Sequence, residues 1–445
     1  MRNEILLCAR VVLLVCSVSL ARADEPVDVL EVAPVWAGHP VGFCLLTDGN
    51  DQFVAFYDAE RHMTVAQRKL DSREWRFQRL PEELVWDSHN SVTMALDSTG
   101  RIHLSGNMHC KPLVYFRTRE PRDITTFERV PAMVGSEEAQ VTYPQFFEGP
   151  GGGLVFTYRD GKSGSGNQIY NAYDANAQTW RRMLDTPLTD GKGLMNAYFH
   201  GPVAGPDGYF HLCWVWRDTP DCASNHDLSY ARSKDLVHWE KSNGEPLALP
   251  ITLETAEVVA PVPAGGGIIN GNNTIGFDSK HRPILAFHKY DGAGNTQIYT
   301  ARLEEGRWVI RQVSKWDYRW AFSGGGSIPF EVRVQPIRYT SDTGLTLEFG
   351  HAKAGGGVWT LDEADLSVKK TGKVKDSTPK TLRRVLSTFP GMSVKWANDR
   401  GASDEPGVHY LLRWETLGPN RDRPRDPPWP EPSMLQVLRV TGNDT

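Results

Sequence analysis

The stretch GFDSKHRPILAFHKYDGAGNTQIYTARLEEGRW (276–308) contains the pattern that decides the fold. It places an apolar segment and a D-S-K-H-R turn before a strand that ends in polar residues, PILAFHKYD. Another strand, IYTARL, and a closing tryptophan follow. Short strands punctuated by Gly, Asp and Asn are typical of antiparallel hairpins. The stretch therefore predicts one small sheet of consecutive antiparallel strands.

The same unit recurs along the chain. Its marker strands are FVAFYD (53–58), IHLSGN (102–107), LVFTYRD (154–160), FHLCWVWRD (210–218), PILAFHKYD (283–291), LTLEFGHA (345–352) and HYLLRWE (409–415). Seven units of roughly 45–65 residues, each able to supply four strands, predict an all-β, seven-bladed β-propeller with four antiparallel strands per blade. A strand from residues 28–36 is expected to complete the seventh blade and so remove a free sheet edge. A β-sandwich with long loops is the alternative.

The first residues predict export. A basic start, the apolar run VVLLVCSVSL (11–20) and a small-x-small site ending at Ala23 are typical of a signal peptide over residues 1–23. We expect cleavage after Ala23, a secreted or periplasmic location, and a single monomeric propeller domain over residues 24–445. No later segment has the roughly 18 apolar residues that a membrane span needs. The formal net charge of −5 argues against a nucleic-acid partner.

Propeller geometry places several polar residues on one face. The first two strands of a blade are antiparallel, so the start of the first and the end of the second lie together. The residues placed there are His89, Asn90, His109, Tyr143, Arg159, Tyr198, Arg217 and Lys289. A basic, aromatic-lined face on a negatively charged protein predicts an anionic ligand. His103 lies inside a strand and is expected to be a hydrogen-bonded structural residue.

The residues on this face favour one kind of chemistry. The sequence has no G-x-S-x-G, H-E-x-x-H or P-loop motif, and no paired carboxylates for glycoside hydrolysis are found on the predicted face. A His–Tyr pair beside an arginine suits β-elimination at a uronic acid. The arginine neutralises the carboxylate, one side chain removes the C5 proton, and the other protonates the leaving oxygen. The alternatives are a propeller glycosidase that releases rhamnose from glucuronate-linked glycans, and a non-catalytic propeller that binds anionic glycans.

The sequence resembles a known family. HNSVTMALDSTGRIHLSGNMH with PLVYFR, TYPQF, FTYRDG, WVWRDT, NHDLSYARS and IYTAR is similar to the BNR-repeat seven-bladed propellers, which include the ulvan lyases. The resemblance covers roughly residues 35–335. It implies a polysaccharide lyase with two histidines about twenty residues apart and a tyrosine sixteen residues before an arginine. His89 and His109, and Tyr143 and Arg159, have these spacings.

The resemblance also implies roles for these residues. Tyr143 and His89 correspond to the acid and base, in an order that stays open. Arg159 corresponds to the group that neutralises the carboxylate, and His109 to an assisting or substrate-positioning group. Asn90, Tyr198, Arg217 and Lys289 are the expected substrate-binding residues. The expected substrate is a uronic-acid-containing, sulfated, ulvan-like polysaccharide.

A structural metal is a separate expectation. The elimination needs no cofactor, but some ulvan lyases of this type carry a structural metal ion. The candidate ligands for zinc or calcium are His200, His211, Cys213, Cys222 and His226. A Cys213–Cys222 disulfide is the competing expectation for an oxidising compartment. The charged, proline-rich stretch PNRDRPRDPPWPEPS (419–433) is expected to form a long loop inside the last blade.

Overall fold

The computed structural model describes residues 28–374 and 379–441, so the predicted signal peptide lies outside the described residues. Within those ranges the chain consists almost entirely of strands and loops. Its α-helix, α1 (Lys380–Arg383), has four residues. None of the described helices is long and apolar enough to cross a membrane. The prediction of an all-β fold is confirmed.

The described strands form seven antiparallel sheets. The N-terminal strand is β1 (Asp28–Val35). Sheet 1 contains β2 (Cys44–Asp48), β3 (Asp51–Tyr57), β4 (His62–Lys69) and β5 (Arg76–Glu83). Sheet 2 contains β6 (Thr93–Leu96), β7 (Ile102–Ser105), β9 (Tyr115–Thr118) and β10 (Phe127–Arg129). Sheet 3 contains β8 (His109–Lys111), β11 (Val141–Glu148), β12 (Leu154–Asp160), β13 (Asn167–Asp174) and β14 (Thr179–Arg182).

The remaining sheets follow in chain order. Sheet 4 contains β15 (Asn196–Ala204), β16 (Phe210–Arg217), β17 (Asn225–Ser233), β18 (Trp239–Glu240), β19 (Pro246–Leu247) and β20 (Glu257–Ala260). Sheet 5 contains β21 (Thr274–Phe277), β22 (Pro283–Tyr290), β23 (Thr296–Glu304) and β24 (Arg307–Gln312). Sheet 6 contains β25 (Val332–Val334), β26 (Arg338–Thr340), β27 (Gly344–His351), β28 (Gly357–Leu361) and β29 (Val368–Gly372). Sheet 7 contains β1, β30 (Met392–Asn398), β31 (Val408–Leu417) and β32 (Ser433–Thr441).

Each sheet corresponds to one of the seven repeat units found in the sequence. Strand β1 pairs antiparallel with β32, so the start of the described chain completes the last sheet, as predicted. Strand β2 of sheet 1 contacts β6 of sheet 2 and β30 of sheet 7. Four strands per sheet hold for sheets 1, 2, 5 and 7, whereas sheets 3, 4 and 6 have one or two additional short strands.

Aspartates begin several of the tight hairpins. The carboxylate of Asp97 accepts backbone N–H bonds from Thr99 and Arg101, and Asp278 accepts the equivalent bonds from Lys280 and Arg282. An aspartate that bonds to the backbone two residues ahead stabilises a turn without the help of the sheet. These local signals explain why the hairpins can be read from the sequence.

The apolar sides of neighbouring sheets pack together. Trp214, Trp216 and Trp239 are almost completely buried in a cluster that also contains residues of sheet 3. Burial of an aromatic side chain contributes roughly 1.5–3 kcal/mol relative to exposure. His103 is fully buried, with its ring nitrogens 2.7 Å from the Tyr115 hydroxyl and 3.3 Å from Asp97. The prediction that His103 is a hydrogen-bonded structural residue is confirmed.

Candidate active site

Asp87 holds two histidines at once. It lies with His89 in loop 84–92, before β6, whereas His109 begins β8. The Nδ1 atom of His109 is 2.6 Å from Asp87 Oδ2, and that of His89 is 2.8 Å from Asp87 Oδ1. The two imidazole rings stack with their centroids 4.0 Å apart. Because both Nδ1 atoms face Asp87, both Nε2 atoms stay free of protein partners among the described residues.

The position of His109 depends on a short strand that leaves its own repeat unit. Strand β8 follows β7 of sheet 2 but pairs with β11 of sheet 3, which places His109 opposite Thr142. Cys110 adopts a left-handed backbone conformation, with φ of 53°. The strand crossover therefore brings a histidine of the second unit beside the tyrosine of the third.

A second carboxylate reaches His89 from the far end of the chain. Asp422, in loop 418–432 between β31 and β32, has its Oδ2 atom 3.3 Å from His89 Nδ1. Its Oδ1 atom accepts the backbone N–H of Ser88 at 3.1 Å. Loop 418–432 lies inside the last sheet unit, as predicted, and on the same face as the histidines.

These contacts set the charges of the cluster. Burial alone would lower the pKa of His89, but the carboxylates of Asp422 and Asp87 outweigh it and raise that pKa to about 9. Burial would raise the pKa of Asp87, but hydrogen bonds from His109 and His89 hold it well below its ordinary value. His89 in turn lowers the pKa of Asp422 to about 2 against the effect of burial. His89 is therefore an imidazolium at neutral pH.

Tyr143 is aimed at the histidines by an irregularity in β11. The pairing of β11 with β12 shifts between Thr142 and Gln145, and Tyr143 has a φ of 57°. A bulge of this kind redirects a side chain, and left-handed backbone at a bulky residue costs about 1–3 kcal/mol. The Tyr143 ring lies 5.5 Å from that of His89, centroid to centroid. Burial raises the pKa of the Tyr143 phenol, so it keeps its proton.

Arg159 lies beneath two tyrosine rings. Its guanidinium carbon is 5.2 Å from the Tyr143 ring centroid and 5.8 Å from that of Tyr198. Its Nη atoms donate to the Tyr198 hydroxyl at 3.2 Å and to Thr142 Oγ1 at 3.0 Å. Arg159 is 2% exposed and has no carboxylate partner among the described residues. An uncompensated buried cation is costly, and it attracts an anion to its surroundings.

The other predicted binding residues divide into two groups. The Arg217 guanidinium lies 5.4 Å from the Tyr198 ring, so Arg217 and Tyr198 join the cluster. Asn90 follows His89 directly and is 1% exposed, and its Oδ1 atom has no hydrogen-bond partner among the described residues. Lys289 instead lies 4.9 Å from the Tyr299 ring of its own sheet, and none of its described contacts reaches the cluster.

The structure does not bring together the predicted metal ligands. His200, His211, Cys213, Cys222 and His226 contribute to no group of three ligand atoms within 4.8 Å among the described residues. Two of these histidines are held by local partners instead. His211 bonds to Tyr230 and Asp207. His226 lies between Asp218 and Asp227. Asp87, His89 and His109 do meet that distance, but their short contacts are hydrogen bonds within the trio.

The expected disulfide is also not formed. Cys213 and Cys222 are buried free thiols that belong to different hydrophobic clusters. Cys213 accepts a hydrogen bond from the Asn273 side chain at 3.2 Å. Burial raises the pKa of both thiols and so disfavours the thiolate form that would bind a metal or exchange disulfides. The Cys213–Cys222 disulfide is therefore not found among the described residues, and a metal bound by these cysteines stays a prediction.

Sequence reasoning missed Asp87 and Asp422. Asp87 had a local signal, because it lies two residues before His89 and accepts that residue's backbone N–H. Asp422 had none, because it is 334 residues from Ser88 in the sequence. The two carboxylates beside His89 also correct the expectation that this face has no carboxylate pair.

Comparison with known proteins agrees with this architecture. A model of BNR repeat-containing family members matches residues 51–316. The chain belongs to the BNR repeat-containing family. An ulvan lyase of Alteromonas sp. (strain LOR) is 22% identical to this chain over 232 residues. The match covers 46% of this chain and 47% of that protein, so the chain spans about half the length of the curated relative.

Solved structures of polysaccharide lyases have a similar fold. The crystal structure of the polysaccharide lyase Uly1 aligns with a TM-score of 0.61 and 14% identity, covering 93% of this chain and 99% of that one. A family PL25 ulvan lyase bound to -[GlcA(1-4)Rha3S]- aligns with a TM-score of 0.59 and 14% identity. That alignment covers 92% of this chain and 95% of the lyase. At such identities the likeness establishes the fold alone.

Proposed function

We propose that this protein is an exported polysaccharide lyase that cleaves a uronic-acid-containing, sulfated, ulvan-like polysaccharide by β-elimination. The observation that carries the proposal is a buried guanidinium with no carboxylate partner among the described residues, Arg159, beside a tyrosine and two histidines. The names of the family relatives support the reaction, and the glucuronate–rhamnose sulfate bound by one structural neighbour supports the substrate class.

We further propose that the seven sheets are the blades of one propeller, and that it acts as a monomer. In this arrangement the strand ends of sheets 2, 3 and 4 form one face. The substrate would lie across His89, His109 and Tyr143, whose side chains are the more accessible members of the cluster. Arg217 and Lys289 would bind further acidic or sulfate groups along the chain.

Arg159 would neutralise the uronate carboxylate. Its charge lies beneath Tyr143 and Tyr198, so the carboxylate is attracted to the hydroxyl edge of these rings. The Tyr198 hydroxyl accepts from Arg159 and contacts Ser163 Oγ, and the Tyr143 hydroxyl has no partner among the described residues. Removal of the C5 proton moves negative charge onto the carboxylate. Positive charge fixed in advance at that position therefore lowers the barrier.

The charge states favour one order of acid and base. His89 carries an extra proton and Tyr143 retains its own, so neither offers a lone pair at neutral pH. Asp87 accepts from Nδ1 of His109, which leaves Nε2 as the ring nitrogen that can accept a proton. We assign His109 as the base that takes the C5 proton. His89 then protonates the departing O4 as the C4–O4 bond breaks and the C4–C5 double bond forms.

This elimination requires no metal, because Arg159 supplies the positive charge that a cation would otherwise provide. Tyr143 would donate a hydrogen bond to the substrate rather than remove its proton.

A glycosidase is disfavoured although Asp87 and Asp422 form a carboxylate pair. Both carboxylates bond to His89 and have lowered pKa values, so neither is a protonated general acid at neutral pH.

Purified protein incubated with ulvan, glycosaminoglycans, alginate and gum arabic tests the proposal. We expect ultraviolet absorbance from a 4,5-unsaturated uronyl end with at least one uronate polymer. Reducing sugar released without this absorbance would identify a glycosidase. Binding of the polymers without cleavage would identify a non-catalytic propeller.

Two variants test the assignment of the base. His109→Gln is expected to abolish elimination, whereas Tyr143→Phe is expected to retain measurable turnover with a raised KM. Circular dichroism and thermal unfolding of both variants establish that they are folded. A fully inactive Tyr143→Phe together with an active His109→Gln would transfer the role of base to Tyr143.

A further inference from the structure

Loop 418–432 is fastened to the candidate active site by a second loop. Arg421 donates from Nη1 to the backbone oxygens of Ser323 and Gly325, at 2.7 and 3.1 Å. Its backbone N–H donates to the Ser327 oxygen at 3.2 Å. Loop 418–432 is therefore held against residues 323–327, which connect sheets 5 and 6.

Asp422 ties both loops to the histidine. Its Oδ2 atom accepts the backbone N–H of Ser327 at 2.8 Å and lies 3.3 Å from His89 Nδ1. Its Oδ1 atom accepts the N–H of Ser88. The side chain is only 9% exposed. One carboxylate thus joins a histidine, the backbone before it and a loop from another part of the chain.

The backbone is bent to deliver this carboxylate. Arg421 and Asp422 both adopt left-handed conformations, with φ of 54° and 56°. Such residues persist only where surrounding contacts specify them, and the bonds to residues 323–327 provide those contacts. The local sequence alone would not favour two consecutive residues in this conformation.

We propose that Asp422 is a positioning residue for the elimination, which together with Asp87 fixes the His89 ring with Nε2 toward the substrate. The inference rests on the proposed function, because it gives His89 the role of proton donor. It adds a contribution from loop 418–432 to a site otherwise built from sheets 2, 3 and 4.

The groups that face His89 determine how its protonation responds when the negative charge of Asp422 is removed. Asp87 and Asp422 lie at Nδ1, His109 stacks on the ring, and Tyr143 lies 5.5 Å away. His39 lies nearby and interacts with Asp87, Asp422 and Arg425. Asp422→Asn keeps an oxygen that can accept the Ser327 N–H but removes one of the two negative charges at Nδ1. His89 should then lose its proton at lower pH.

The first test measures His89 directly and needs no activity. Protein labelled with ¹³C-histidine is titrated by NMR, and the His89 resonance is assigned with a His89→Gln variant. We expect the His89 titration to move to lower pH in Asp422→Asn by about one pH unit. Asp426→Asn is the matched control, since it removes an exposed carboxylate from the same loop and should leave the titration unchanged.

The second test measures kinetics. The dependence of kcat on pH falls off on its alkaline side where His89 loses its proton. In Asp422→Asn this alkaline limb should move to lower pH by the same amount as the His89 titration, with KM unchanged. Asp422→Glu, which restores the negative charge, should move the limb back toward that of the unmodified protein. A purely structural role would instead lower kcat equally at every pH and lower the melting temperature.

The two proposals can fail separately. If the unmodified protein forms unsaturated product but Asp422→Asn has unchanged NMR and kcat profiles, Asp422 is not a positioning residue. If no uronate polymer is cleaved but the NMR shift is found, the contact with His89 stands and the proposed reaction is wrong. An NMR shift in Asp426→Asn equal to that in Asp422→Asn would also overturn the inference, because the effect would then be nonspecific.

Discussion

Replacement of Arg159 by methionine should separate activity from stability. In the folded protein the guanidinium is 2% exposed and bonds only to neutral groups among the described residues. If its function is to attract a carboxylate, its removal should reduce turnover strongly while leaving the fold intact. If Arg159 has a structural role instead, its removal should lower the free energy of unfolding and leave turnover by the folded protein unchanged.

The catalytic loss follows from the distance between charges. The Tyr198 hydroxyl lies 3.2 Å from Arg159 Nη1, so a carboxylate bonded to that hydroxyl would be about 6 Å from the guanidinium charge. At an effective dielectric constant of 20, this separation corresponds to ~3 kcal/mol. The carboxylate carries this charge in the transition state as well as in the bound substrate, so the whole interaction counts in kcat/KM. We expect kcat/KM to fall about 100-fold.

The stability change should be small or favourable. The two hydroxyls that accept from Arg159 keep other partners in Arg159→Met. Tyr198 retains Ser163 Oγ at 2.5 Å, and Thr142 Oγ1 retains the Cys110 N–H at 2.8 Å. No buried acceptor loses its last partner, and the cost of burying an unpaired cation disappears. We expect the free energy of unfolding to stay constant or to rise by about 1–2 kcal/mol.

Arg302 offers a matched control. It is equally buried in β23, but it pairs with Glu304 at 2.6 Å and Asp278 at 3.6 Å. Arg302→Met leaves Glu304 without its cation and the backbone oxygens of Glu363 and Ala364 without their donor, whereas Asp278 keeps Arg282 at 2.7 Å. It should therefore cost about 3 kcal/mol without changing the kcat of folded protein. Urea unfolding and initial-rate absorbance measurements on both variants provide the comparison. Arg159→Met with kcat/KM within about threefold of the unmodified protein would refute the reasoning, as would a loss of stability equal to that of Arg302→Met.

Three other outcomes follow from the structure. His103→Phe leaves Asp97 without its imidazole partner, so urea unfolding should show a loss of about 2–3 kcal/mol while kcat of the folded protein is unchanged. Tyr198→Phe removes the hydroxyl that Arg159 holds, so initial rates should show KM raised about tenfold. The pKa of His89 in the folded protein, about 9, exceeds its ordinary value of 6.5, so its stabilisation is complete below pH 6.5 and is lost as pH rises through 9. Urea unfolding across this range should show that decline, and His89→Gln should remove it; an identical decline in the variant would contradict the assignment.

The hairpins explain how much of the site could be predicted. Tyr143 and Arg159 lie at neighbouring strand ends because β11 and β12 form a hairpin, in which Thr142 is paired with Arg159. Such pairing follows from strand alternation and turn residues, both of which are local. Tyr198 and Arg217 were predicted by the same argument, and Asn196 is paired with Arg217 in β15 and β16. Lys289 ends a strand of a more distant unit, and its described contact is with Tyr299 of its own sheet, so its role in binding stays a prediction.

The sequence by itself determined the seven strand units, their hairpin turns and the strand ends that carry the basic and aromatic residues. Only the tertiary structure decided the crossover of β8 that brings His109 beside Tyr143, the bulge that aims Tyr143, and the contact of Asp422 with His89. The physical reason is the separation along the sequence between the residues that determine each feature. Strand alternation and turns depend on residues a few positions apart, whereas the charge of His89 depends on two carboxylates that only folding brings together.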